Sequence, residues 1–176
     1  MIIPGFLISL LTFPGVIVHE LAHQLFCRWC KVPVFKVVYF QPENPVGYVL
    51  HEIPSRKWHS IVISIGPFFI NTILWAIIAF PAALPVFKFD NAGPVDYLLI
   101  YLGVAIAMHA FPSTGDANAI WKHMNEKTTP VWIKILGYPI VGLIYLGSIG
   151  SFFWLDLIYG IGIAIGLPNL VIALLA

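Results

Sequence analysis

Long apolar stretches separated by short polar ones constrain this chain more than any other feature. Runs near residues 2–26, 58–84, 95–111 and 130–176 each hold enough apolar residues to cross a hydrocarbon core of about 30 Å, which takes about 20 residues of helix. With 60% of its 176 residues hydrophobic and 10% charged, the chain has too little polar side-chain material to cover a water-soluble domain. The expected fold class is an all-α polytopic membrane protein, folded as a single domain over residues 1–176. Five transmembrane helices are expected, with four as the alternative, because Pro130 to Ala176 is long enough for two helices and Gly147 to Ser151 offers a break. The N-terminal MIIPGFLISLLTFPGVIV lacks the basic first region and small-residue cleavage site of a signal peptide, so it is expected to remain as a helix. Pro4, Pro14 and Gly15 inside that run are of a kind that membrane helices tolerate.

One segment departs from this pattern. In KVPVFKVVYFQPENPVGYVLHEI, residues 31–53, β-branched and aromatic residues flank the turn-forming QPENPVG, which predicts a short β-hairpin between the first and second helices, with strands near 34–40 and 46–52. The formal charge of +1 provides no basic patch for nucleic acid, so the expected surroundings are the lipid bilayer. Arg28, Lys31, Lys36, Arg56 and Lys57 follow the first span, and Lys122, Lys127 and Lys134 follow the third. The positive-inside rule places both loops in the cytosol and the N-terminus outside. Trp29, Trp58, Trp121 and Trp132 lie near span ends, as interfacial anchors do.

Ionisable residues interrupt the apolar pattern where the first span ends, at His19-Glu20-Leu21-Ala22-His23. Positions i and i+4 share one face of a helix, so His19 and His23 can reach one zinc ion, while Glu20 beside the first ligand can serve as general base towards water. Two histidines and a glutamate are costly inside a bilayer, which makes function the default explanation for them. A catalytic zinc of this type takes a third protein ligand and leaves one position open. Asp116 is the favoured third ligand, since charge placement puts the ends of spans one and three on the same membrane face. His109 is the competitor, with a supporting or core role as its other reading. Cys27 and Cys30 form a lone CxxC, too few for a disulfide framework, and read as small apolar residues at a helix end. His51 and His59 read as interfacial, His123 as part of a solvated helix face, and Glu52 has no assigned place.

At these residues the chain resembles the site-2 protease family of intramembrane zinc metalloproteases. That family pairs an HExxH on an early helix with an aspartate from a later helix, in a Pro-containing segment with the sequence Leu-Asp-Gly. HELAH at 19–23 matches fully, whereas MHAFPSTGDAN at 108–118 keeps the proline but has Gly115-Asp116-Ala117 in place of Leu-Asp-Gly. Gly66-Pro67 followed by Asn71 is similar to the family's GPxxN helix, one residue longer in spacing, and implies a substrate-binding role for Asn71; an interhelical hydrogen bond is its other reading. The hairpin corresponds to a β element that such proteases carry beside the active site, where an exposed strand edge would hold an unwound substrate extended. The resemblance covers about residues 1–122, the expected catalytic core, and leaves the helices of 130–176 without a motif. It implies one zinc ion, a transmembrane protein as substrate and peptide-bond hydrolysis within or near the bilayer. Two rivals are a zinc-binding membrane protein without protease activity, and a small transporter or scaffold whose HExxH is accidental.

Overall fold

The computed structural model describes residues 5–175. It is mostly helical with one two-stranded hairpin, in the order α1 (Gly5–Leu11), α2 (Phe13–Trp29), β1 (Val34–Val38), β2 (Tyr48–His51), α3 (Lys57–Phe87), α4 (Pro94–Met108), α5 (Thr114–Met124), α6 (Val131–Phe152) and α7 (Leu155–Leu175). The single straight helix expected over 2–26 is instead two, α1 and α2, which meet at 91°; residues 2–4 lie outside the described residues. Pro14 in the first turn of α2 is the local cause: it has no N–H to continue a helix arriving from α1, but its fixed φ suits a helix start. At its other end, α2 closes with Lys31 in the left-handed region (φ 56°) and Val32 N–H donating to the Cys27 carbonyl at 2.8 Å, a turn that directs the chain into β1.

β1 and β2 pair antiparallel, with Val37 opposite Val49 and Val38 opposite Tyr48, and an irregularity between Val34 and Lys36. The hairpin stands where the sequence predicts it, with strands shorter than the expected ranges. The sheet has two strands, so one edge of β2 is left unpaired among the described residues.

α3 is the central helix. Trp75 and Ala79 pack with Ile106 and Ala107 of α4 and Ala164 of α7, while Ile61 joins Ala117, Ile120 and Met124 of α5 and Ile133, Val141 and Ile144 of α6. Small residues set the crossings: a Cβ on Gly15 would stand 1.9 Å from the Ala105 carbonyl oxygen, and one on Gly103 2.7 Å from the Ala79 Cβ. The segment read as a polar loop after the third span contains α5, whose buried Ala117, Ile120 and Met124 fix it against α3 and α6. The break before α7 falls at Phe153 and Trp154, later than the Gly147–Ser151 expected, because Gly147 is buried inside α6.

By length and composition α3 and α6 can each cross a membrane, and the bent pair α1–α2 passes the same test only if taken as one span. The 15 residues of α4 extend about 22 Å, short of a typical hydrocarbon core. Outward-facing Phe69, Ile73 and Ile77 on α3 and Leu143, Leu146 and Ile149 on α6 are exposed, the apolar surface that a lipid-facing helix presents.

Candidate metal centre

His19 and His23 lie one turn apart on α2, with ring centroids 4.7 Å apart and Nε2 atoms 3.1 Å apart. Each Nδ1 meets a backbone carbonyl: His19 that of His109 at 2.7 Å, and His23 that of Ile63 at 3.0 Å. A carbonyl can only accept, so both Nδ1 atoms carry the proton and, in the neutral rings, both Nε2 atoms present lone pairs. Two lone pairs facing each other at 3.1 Å cannot satisfy one another; a shared cation or proton does.

Those two carbonyls are available for local reasons. Pro67 lacks the N–H that would otherwise bond the Ile63 carbonyl four residues earlier in α3, so that oxygen is left for His23. His109 caps the C-terminus of α4, where the last carbonyls have no helical partner. Its carbonyl takes both the His19 ring and the Asn71 amide, the latter at 3.0 Å.

Asp116 enters from the first turn of α5. Ser113 is the N-cap: its N–H and hydroxyl donate to Asp116 Oδ2 at 2.8 and 2.7 Å, and its hydroxyl oxygen accepts from the Asp116 N–H at 3.2 Å. This capping box aims the remaining oxygen, Oδ1, at His23 Nε2, 3.5 Å away. One ligand atom from each of His19, His23 and Asp116 lies within 4.8 Å of the others. Ligands 2.0–2.1 Å from a tetrahedral zinc stand about 3.3 Å apart, so the separations of 3.1 and 3.5 Å suit that ion. Two neutral imidazoles and a carboxylate are also a donor set that zinc accepts. Glu20 is buried beside them, and Gly47 ahead of β2 packs on it: a Cβ there would come within 2.8 Å of the Glu20 Cγ. Cavities of about 580 and 500 Å³ flank the cluster and share His19, Glu20, Pro45, Gly47 and Ser113 in their walls.

The other candidates occupy different positions. The His109 ring turns away to Thr12, Nε2 to Oγ1 at 2.8 Å, so this residue meets the cluster through its carbonyl. Asn71 is fully buried and ties α3 to α4, donating to the carbonyls of Ile106 at 3.1 Å and His109 at 3.0 Å. His123, expected on a solvated face, is buried; it lies against Glu126, which Lys57 also binds. Burial holds the His123 imidazole below its ordinary pKa, and the Lys57 hydrogen bond lowers that of Glu126. Cys27 is buried in a separate apolar cluster with Val32 and Ile63. His51 lines the second cavity, whereas Glu52 and His59 line a cleft outside the cluster. Sequence reasoning passed over Ser113, and named Pro67 only within the Gly66-Pro67 motif without its effect on the Ile63 carbonyl. The spacing Ser-x-x-Asp was a signal for the first, and Pro67 four residues after Ile63 for the second.

No curated protein and no solved structure matches the chain. A family described as "Putative zincin peptidase" matches residues 12–131, which is more than half of the chain and includes α2, the hairpin, Asp116 and Ser113. Membership implies zinc and peptidase chemistry, the same chemistry that the donor set suits. The chain therefore belongs to this zincin peptidase family.

Proposed function

We propose that this protein is an intramembrane zinc metalloprotease, similar to site-2 proteases, that hydrolyses peptide bonds of transmembrane protein substrates within or near the bilayer. The observation that carries the reading is the convergence of His19 Nε2, His23 Nε2 and Asp116 Oδ1, with Glu20 buried alongside, in a fold whose α3 and α6 are long and apolar enough to cross a membrane. These three residues would hold one zinc ion. Zinc, when bound, supplies Lewis acidity that polarises the scissile carbonyl and makes water easier to deprotonate. Glu20 takes the proton from the attacking water and delivers it to the leaving amine. The carbonyls of His109 and Ile63 keep the two rings in the Nδ1–H tautomer, and Asn71 acts by fixing the His109 carbonyl.

The unpaired edge of β2 supports a place for substrate. Tyr48, Val49 and His51 line the same cavity as His19, His23 and Asp116, so a strand added to that edge runs past the cluster. Main-chain pairing would keep the substrate unwound, which a peptide bond in a helix requires before it can be attacked. The lysine and arginine distribution supports an N-terminus outside and a site near the cytosolic face.

The test is cleavage of a co-expressed membrane protein substrate. Cleavage should stop with 1,10-phenanthroline and return when zinc is restored; activity that survives removal of the metal contradicts the reading.

A further inference from the structure

The two cavities beside the cluster share His19, Glu20, Pro45, Gly47 and Ser113, so they form one cleft that passes the ligand atoms. Its two arms end on opposite charges. The first arm reaches Ser148, Ser151 and Asp156 at the junction of α6 and α7, and no lysine or arginine lines it. Asp156 is half-buried there, and Oδ1 accepts from the Leu157 N–H in its own helical turn, at 2.9 Å. Among the described residues no cation pairs with this carboxylate. Its place in the first turn of α7 favours the ionised form and its burial opposes it, so a counter-charge brought into the cavity would offset the cost of that burial.

The second arm contains Lys122 and, apart from Glu20 and Asp116 at the cluster, no carboxylate. Glu126 is engaged by Lys57 and His123 and does not line this arm. Lys122 follows Asp116 by six residues of α5, about 9 Å along the helix. That distance corresponds to about three residues of extended peptide.

We infer that the cleft selects substrates by the order of their charges: a basic side chain on the Asp156 side of the scissile bond and an acidic one about three residues away on the Lys122 side. This rests on the protease reading and specifies the substrate class for the same site. Asp156 and Lys122 are specificity-determining residues, and neither takes part in bond cleavage.

The experiment uses four peptides that differ only at the two flanking positions: Lys/Glu, Glu/Lys, Lys/Lys and Glu/Glu. Binding is measured by fluorescence anisotropy to the zinc-loaded Glu20→Gln protein in nanodiscs, and cleavage with the wild type. One of the two opposite-charge orders should bind about tenfold more tightly than the other three peptides. Asp156→Asn should abolish the preference for lysine at one position, and Lys122→Glu should convert the preference for glutamate at the other into one for lysine. Four affinities within about threefold of one another, preferences that survive both substitutions, or no binding at all would overturn the inference. Ordered binding without cleavage overturns the protease reading and leaves this one standing. Cleavage without charge order does the reverse.

Discussion

The two histidines of α2 are held by carbonyls of different origin. His23 is anchored from inside a long helix, where Pro67 leaves the Ile63 carbonyl without its usual donor; His19 is anchored from a helix end, where His109 closes α4. The first anchor depends on one residue and a local rule. The second depends on how α2, α3 and α4 pack, with Gly15 against Ala105 and Asn71 reaching across to the His109 carbonyl. One substitution in the chain can therefore remove the His23 anchor while leaving the His19 anchor intact.

The largest effect expected is loss of the ion itself. His19→Ala and His23→Ala should each reduce zinc, measured by atomic emission after purification, from one ion to below about a tenth of an ion per chain. Asp116→Ala should follow them closely, and His109→Ala should keep the ion because its backbone carbonyl survives. If His109→Ala loses zinc and Asp116→Ala does not, the His109 ring rather than Asp116 is the third ligand.

A smaller effect sharpens the comparison between the anchors. Pro67→Ala returns an N–H to the Ile63 carbonyl and should weaken zinc binding about 10–100-fold, the usual consequence of losing a partner behind a metal-bound histidine. Pro81→Ala, in the same helix but away from the histidines, should leave zinc affinity unchanged. Chelator competition on both proteins measures this; equal affinities would show that the His23 anchor does not depend on the proline. The smallest effect belongs to Ser113→Ala, which removes the N-cap of α5 and should cost about 1 kcal/mol of stability. Thermal unfolding checks it, and a few-fold weaker zinc affinity should accompany the looser Asp116 carboxylate.

Much of the site was legible because its signals are local. HELAH at 19–23 puts two histidines on one helix face with a glutamate beside them from helical spacing alone, and the β-branched and aromatic residues around QPENPVG place the hairpin. Asp116 was reachable through charge placement, which put two helix ends on one membrane face. What could not be read was tertiary. The bend at Thr12 splits an apolar run that looks continuous, since hydropathy does not register a change of direction. α5 looks like loop because its polar residues dominate the composition, yet Ala117, Ile120 and Met124 bury one face against α3 and α6. His123 is buried for the same reason, on the face of α5 that composition hides. The number of spans is also a question of length: α4 is apolar throughout but only 15 residues long.

The central claim is that a zinc ion held by α2 and α5 serves peptide hydrolysis with Glu20 as its base. Glu20→Gln tests it most directly, because the change removes the base and leaves all three ligand atoms in place. Zinc content and cleavage of a co-expressed membrane substrate should be measured on the same preparation. The account predicts one zinc per chain with cleavage reduced by about 10²–10⁴-fold. Cleavage at the wild-type rate with zinc bound would contradict it.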